Sequence, residues 1–248
     1  MDATVQVSYP SKAVCLIAID RAERRNALDV ATYEQLGDAL LNAERDDAVR
    51  VVVMAGKGAH FTAGNDLEDF FKLEGAASVP GIDFLRVLAG LSKPVIAAVE
   101  GYAIGIGTTL LLHCDLAYAG QHSTFRLPFV SLGLVPEGAS TYWLPRLAGS
   151  KKASELLLFG EVFTSEVALE VGLLNEVVEQ GQALEKALER ATTLAALPQV
   201  ALRHTKRLLL DHQREAVQRA MDEEEQAFLA RCASVEAKAA FDAFLKRR

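Results

Sequence analysis

Four short apolar runs set the first limit on how this 248-residue chain can fold: Val14–Ile19, Val49–Met54, Pro94–Val99 and the weaker Leu116–Ala119. Each has the length of a β-strand, and Gly-containing turns close the second and third, so the runs read as buried strands. Helical patterns lie between them. Behind Asp29, a candidate N-cap, the apolar positions Tyr33, Leu36, Leu40 and Leu41 predict a helix over 29–45. Residues 82–91 read as a second helix, and 107–114, apolar on every side, as a short one inside the core. After about residue 150 the alternation stops. Segments 151–159, 165–171, 183–196, 200–225 and 234–247 all read as helices. The expectation is an α/β core over residues 1–195 and a helical region over 196–248.

Composition narrows the functional classes. Half of the residues are hydrophobic and 24% are charged, the balance of a soluble globular protein. The net charge of −7 disfavours a nucleic-acid surface, which needs a dense basic stripe. A local cluster such as Arg21, Arg24 and Arg25 can still meet an anionic ligand. Cys15, Cys114 and Cys232 are widely spaced and read as buried free thiols, with no zinc-like spacing. The N-terminus lacks the pattern of a secretory signal, no apolar stretch reaches membrane-spanning length, and FLKRR is not a peroxisomal address. A cytoplasmic protein without a membrane partner is expected. The five histidines, His60, His113, His122, His204 and His212, have no carboxylate or cysteine at ligand-like spacing, so no metal is expected.

Three segments carry candidate chemistry. In HFTAGNDL (60–67), small residues let the backbone approach a ligand and leave the N–H of Asn65 outward; a loop with a helix cap at Asn65 or Asp66 explains it as well. In EGYAIGIGTTLLLHC (100–114), Gly105-Ile106-Gly107 opens a helix whose first N–H groups lack internal partners. The Ile106 N–H could therefore face an oxygen that gains charge, although tight helix packing accounts for the glycines equally. Thr108 and Thr109 read as back-bonded to helical carbonyls, and Asp115 as a capping or packing residue. In FRLPFVSLGLVPEGASTYWLP (125–145), Glu137 stands among Leu132, Leu134, Val135, Tyr142 and Trp143. Such surroundings raise a carboxyl's pKa toward the range needed to carry a carbon-bound proton. A glutamate stabilising a helix N-terminus is the competing reading.

FTAGNDL, KPVIAAVEGYAIGIG, CDLAYAG and LPFVSLGLVPEGAS, in this order and spacing, resemble the enoyl-CoA hydratase/isomerase (crotonase) superfamily. RAERRNALD near the N-terminus resembles that family's first block, and the likeness runs from about residue 12 to the end. It implies a spiral of ββα turns followed by helices that pack between subunits of a homotrimer or a hexamer of trimers. Leu202, Leu208, Leu209, Phe228, Phe241 and Phe244 supply the apolar faces expected at those contacts. It also implies that Asn65 and Ile106 donate main-chain N–H groups to a thioester oxygen. Arg24, Arg25, Ala27, Ala63, Gly64, Asp66 and Leu67 would lie along the coenzyme A of an acyl-CoA substrate, and Phe129 is a further candidate substrate-binding residue. Phe244 and Lys246 resemble an aromatic-plus-basic pair that meets the coenzyme A of an adjacent subunit.

The departures from the family pattern bear on the reaction. Hydratases of this family use two glutamates to handle water; here those positions are Thr109 and Phe129. Glu137 instead stands where the peroxisomal-type Δ3,Δ2-enoyl-CoA isomerases place their single carboxylate. The resemblance thus implies an isomerase with Glu137 as its only acid/base and no cofactor, coenzyme A entering as part of the substrate. Another crotonase chemistry on the same thioester, such as hydration, and an idle acyl-CoA-binding relative are the alternatives.

Overall fold

The computed structural model describes residues 3–66, 69 and 76–246, apart from the side chains at 244 and 245. Strand β1 (Val5–Ser11) pairs antiparallel with β2 (Val14–Ile19). From β2 the sheet continues in parallel through β3 (Val51–Gly56), β4 (Val95–Val99), β6 (Leu116–Gly120) and β9 (Glu176–Val178). A smaller sheet is ordered β5 (Tyr102–Ile104), β7 (Thr124–Arg126), β8 (Phe163–Thr164). Each turn of the chain gives one strand to each sheet. β4 is followed by β5, β6 by β7, and β3 by Thr62, which bridges Ala103 of β5 in parallel. This is the spiral of ββα turns expected from the sequence.

The four apolar runs are the central strands. Strands β3 and β4 are buried on both faces, which is why they read as continuous runs rather than alternating ones. Helix α1 (Val30–Arg45) covers one face with α2 (Pro80–Gly90); Asp29 caps it, its Oδ1 accepting the Thr32 N–H at 2.8 Å. The segment read as one buried helix is a single turn, α3 (Ile106–Thr109), continued by a 3-10 turn over Leu110–His113.

The remaining helices are α4 (Ser140–Phe159), α5 (Ser165–Glu170), α6 (Ala183–Ala196), α7 (Gln199–Asp211), α8 (Arg214–Cys232) and α9 (Val235–Leu245). Helix α6 lays Ala183, Ala187, Ala191 and Ala195 against Val51, Val53, Ile96, Ala98 and Tyr118 on the other face of the large sheet. A residue every fourth position keeps one stripe toward the sheet, and alanine lets the helix approach closely. Two helix readings need correction. Helix α4 begins eleven residues before the expected 151, with Pro145 inside and a break at Gly149 (φ 75°). The expected 200–225 helix is two, parted near His212 and Gln213, so that α8 turns Met221 and Phe228 into the core.

The helices after residue 195 share the main core: Met221, Phe228, Ala237 and Phe241 belong to the same buried cluster as the strands. Phe228 and Phe241, expected at subunit contacts, are therefore satisfied within the chain, whereas Leu208 and Leu209 are 58% and 68% exposed. Among the described residues no helix is long and apolar enough to cross a membrane.

Candidate active site

Two loops meet back to back at the top of the spiral. After β3 the chain runs through Phe61 and Thr62 into Gly64. The Thr62 hydroxyl donates to the Asn26 carbonyl (2.6 Å) and accepts the Gly64 N–H (3.0 Å). Leu28 donates its N–H to the Gly64 carbonyl and Asp66 donates to the Leu28 carbonyl, each at 2.8 Å. This pairing uses the residues on either side of Asn65 and passes over its own N–H. Gly64 has φ +84°, and a Cβ there would stand 2.5 Å from the Ile104 carbonyl oxygen. Only glycine permits both.

The second loop is Ile104–Gly107. Gly105 (φ 58°, ψ −120°) donates its N–H to the Arg126 carbonyl at 2.8 Å and turns the chain into α3. A Cβ on Gly107 would lie 2.5 Å from Thr62 Cγ2, so glycine lets this loop press against the first. Among the described residues neither Asn65 nor Ile106 has an acceptor for its main-chain N–H. Helix α3 is too short to bring much macrodipole, so what the site offers is the two local N–H groups themselves.

The Asn65 side chain is held by Tyr33, which in the sequence marks only an apolar helix position. The Tyr33 hydroxyl donates to Asn65 Oδ1. Tyr33 is buried, and burial pushes its phenol well above the ordinary range, so it stays protonated and a donor. Asn26, in the left-handed region (φ 56°), donates Nδ2 to the Lys57 and His60 carbonyls and ties the 21–27 segment to the same loop.

A cavity of about 660 Å³ opens in front of these loops. Arg24, Arg25, Ala27, Ala63, Gly64, Asn65, Asp66 and Phe129, all singled out from the sequence, form part of its wall. Arg21 does not join them: its guanidinium is spent on the Ala27 carbonyl (2.5 Å) and on Asp29 (3.0 Å) and Asp66 (3.4 Å). Leu67 and the Phe244 side chain lie outside the described residues. Lys246 is exposed at the end of α9 and is not part of the wall. Two alanines of that helix, Ala240 and Ala243, do wall the cavity of their own chain. Arg126, which no sequence signal marks, also stands in the wall beside Gly105. A three-residue strand such as β7 is too short to announce which side chains face a ligand.

Ile106 and Glu137 sit behind this wall. Glu137 is 2% exposed, and burial pushes its carboxyl up to about 8, against a hydrogen bond from Thr109 that lowers it and the charge of Glu224 that raises it further. The Thr109 hydroxyl donates to Glu137 Oε1 at 2.5 Å; its contact to the Ile106 carbonyl is a long 3.4 Å, so the expected back-bonding is the weaker of its two interactions. Thr108 does not back-bond to a helical carbonyl as expected: its hydroxyl donates to the Ala103 carbonyl of β5 at 2.5 Å. Glu137 Oε2 is buried with no partner among the described residues. The carboxyl lies three residues before α4, not within its first turn. Behind it, burial lowers His113 to about 4, so the ring is neutral and its Nε2–H donates to the Gly138 carbonyl at 2.8 Å. Asp115 accepts the Val95 N–H and pairs with Lys206, both at 2.7 Å, as a packing residue. Among the described residues no group of three His, Cys, Asp or Glu could hold a metal.

Two open N–H donors and one buried carboxyl with near-neutral proton affinity can polarise a carbonyl and move a proton beside it. Comparison with known proteins agrees with that capacity. The family model for enoyl-CoA hydratase/isomerase matches residues 10–248. The chain is 35% identical to the 2,3-dehydroadipyl-CoA hydratase of Escherichia coli, over 95% of this chain and 93% of the relative. It is also 35% identical to enoyl-CoA delta isomerase 2 of Rattus norvegicus, over 94% of this chain but only 61% of that longer relative. The solved structure of Pseudomonas aeruginosa OdaA superposes with a TM-score of 0.94 at 41% identity, covering 98% of this chain and 99% of that one. This chain belongs to the enoyl-CoA hydratase/isomerase family.

Proposed function

We propose that, within the acyl-CoA thioester chemistry of its family, this chain moves a double bond from the 3 to the 2 position of an enoyl-CoA. The observation that carries the reading is Glu137: buried, raised to about 8, and with one oxygen that has no partner among the described residues. The thioester oxygen would rest on the N–H groups of Asn65 and Ile106. Glu137 then takes a proton from C2, charge moves onto the oxygen, and the dienolate is stabilised by two donors, each worth about 3 kcal/mol by the usual cost of removing one. The same carboxyl returns the proton at C4. The proton leaves and comes back, so the step balances without water or an electron carrier.

Identity does not choose between hydration and isomerisation, because a hydratase and an isomerase are equally similar. The side chains favour isomerisation. Thr109 and Phe129 stand where a hydratase of this family would carry glutamates, and neither can activate water as a base. The test is product analysis after separate incubation with 3-enoyl-CoA and 2-enoyl-CoA. Rapid growth of conjugated thioester from the first, with slow or no hydration of the second, is expected; faster hydration than isomerisation would overturn the reading.

The same reading takes the active unit as a homotrimer or a pair of trimers. Exposed Leu158, Phe159, Val162, Val200 and Leu209, each at least 59% accessible, supply apolar surface for it. Light scattering that finds a stable monomer at micromolar concentration would refute this part.

A further inference from the structure

Two groups from separate parts of the chain, Thr109 and Glu224, act on Glu137 in opposite directions. Resting on the reading of Glu137 as the proton carrier, we propose that Thr109 and Glu224 are its positioning residues: Thr109 occupies Oε1 and leaves Oε2 as the exchanging oxygen, while Glu224 reaches from α8 to clamp the turn that aims it.

The Thr109 hydroxyl has one proton, and the 2.5 Å distance to Oε1 against 3.4 Å to the Ile106 carbonyl assigns it to Glu137. Oε1 is thereby filled whether Glu137 is charged or neutral. Oε2, buried and without a partner among the described residues, is the oxygen left to take a proton and give it back. A shift between C2 and C4 needs one oxygen for both transfers, and a pinned carboxyl supplies the same one each time.

The turn after Glu137 is unusual. Gly138 and Ala139 both lie in the left-handed region, at φ 71° and 55°, and Ala139 has no side chain to cap the helix that follows. Glu224 does this from outside. Its carboxylate accepts the Ala139 N–H at 2.6 Å, the Thr141 N–H at 2.9 Å and the Thr141 hydroxyl at 2.5 Å, and it is itself 7% exposed. Burial raises Glu224 above the ordinary carboxylate range, and these donors work against that rise. The C-terminal helices, read from sequence as an oligomerisation region, thus reach the Glu137 turn through Glu224, besides walling the cavity with Ala240 and Ala243.

The other groups around the carboxyl are accounted for. The 3-10 turn after α3 presents neutral His113, and α1 presents the protonated Tyr33. Helix α2 brings Leu85 against the turn, while its Arg86 is tied to Asp222 and Glu225 on α8. Thr109 therefore favours the ionised form of Glu137 by donating to it, and the Glu224 charge disfavours it.

The test reads the Glu137 carboxyl directly, by infrared difference between each protein and its Glu137→Gln counterpart across pH, together with the pH profile of kcat on 3-enoyl-CoA. Thr109→Val should raise the midpoint by about one pH unit and lower kcat at pH 7 about tenfold, with KM within about twofold. Thr109→Ser should restore both, and Glu224→Gln should move the midpoint down. Thr109→Val that titrates and turns over like wild type would overturn the assignment of Oε1. A folded Glu224→Gln whose midpoint stays or rises would overturn the clamp. Thr109→Val keeps the side-chain shape, so the pair remains testable if Glu224→Gln does not fold. The infrared titration needs no substrate. Shifts in the expected directions without isomerase activity would therefore sink the proposed reaction, while unmoved midpoints in an active isomerase would sink only the positioning pair.

Discussion

The two halves of the candidate site are built from different materials. The half proposed to hold the carbonyl is main chain: Gly64 and Gly107 bring two loops within van der Waals contact, Gly105 turns the second loop at φ 58°, and the proposed donors are the N–H groups of Asn65 and Ile106. The half proposed to carry the proton is side chain: Thr109, Glu137 and Glu224 come from three segments far apart in sequence. A backbone site tolerates almost any side chain at the donor positions but no Cβ at the close approaches. A side-chain site tolerates backbone variation but depends on the chemistry of each group. The two halves should therefore fail under different kinds of substitution.

The largest effect is expected in the second half. Glu137→Gln keeps the shape, cannot accept a proton, and should lower kcat by roughly two to four orders of magnitude, the range for a positioned acid–base group. Binding of a saturated acyl-CoA should hardly change, as calorimetry would show. Retained turnover in Glu137→Gln would dissolve the distinction between the halves.

The first half should yield to proline and not to alanine. Ile106→Pro removes the N–H while proline is accepted at the first position of a helix, so a loss of about 10²- to 10³-fold in kcat is expected. Ile106→Ala keeps the donor. It should cost about 2 to 5 kcal/mol of stability from the cavity left beside Gly81 and Tyr33, yet turn over well where folded. Circular dichroism controls for folding in both. Near-full activity in a folded Ile106→Pro protein would remove Ile106 from the reaction.

This difference in material also explains what the sequence made legible. The glycine positions and the four buried strands could be read directly, because a Cβ clash or a doubly buried strand leaves a local mark on the residue types. Glu137 was visible through its apolar neighbours. Tyr33, Glu224 and Arg126 were not, since each acts through a contact more than eighteen residues away in the chain. Tyr33 sits on an ordinary amphipathic helix, and Glu224 within the acidic run Asp222–Glu225, which normally marks a solvated face. Three-residue strands β5, β7 and β9 were missed because period-two alternation needs more residues to show.

A milder perturbation falls between the halves. Asn65→Ala keeps the main-chain donor but leaves the buried Tyr33 hydroxyl without its acceptor. The unsatisfied phenol should cost about 1 to 3 kcal/mol of stability, measurable by denaturant unfolding, with activity within about tenfold of wild type. A collapse of activity with stability intact would mean that the Asn65 side chain, and not its N–H, does the chemistry.

The smallest expected effect is on stability, and its sign is fixed by the carboxyl's burial. Glu137 titrates near 8 in the folded chain against an ordinary value of 4.5, so between those limits the folded state holds a proton that the unfolded state has lost. The contribution is fully present below about pH 4.5 and is lost as pH rises through about 8, because ionising the buried carboxyl then opposes folding. Glutamine has no such titration. The melting temperature of Glu137→Gln relative to wild type should therefore rise between pH 5 and pH 9, on the order of 5 °C for a domain of this size. Glu224 and His113 are present in both proteins, so their own titrations cancel to first order. A difference that stays flat across this range would mean that Glu137 meets water in solution, and the side-chain half of the site would lose the dry surroundings on which its proton affinity depends.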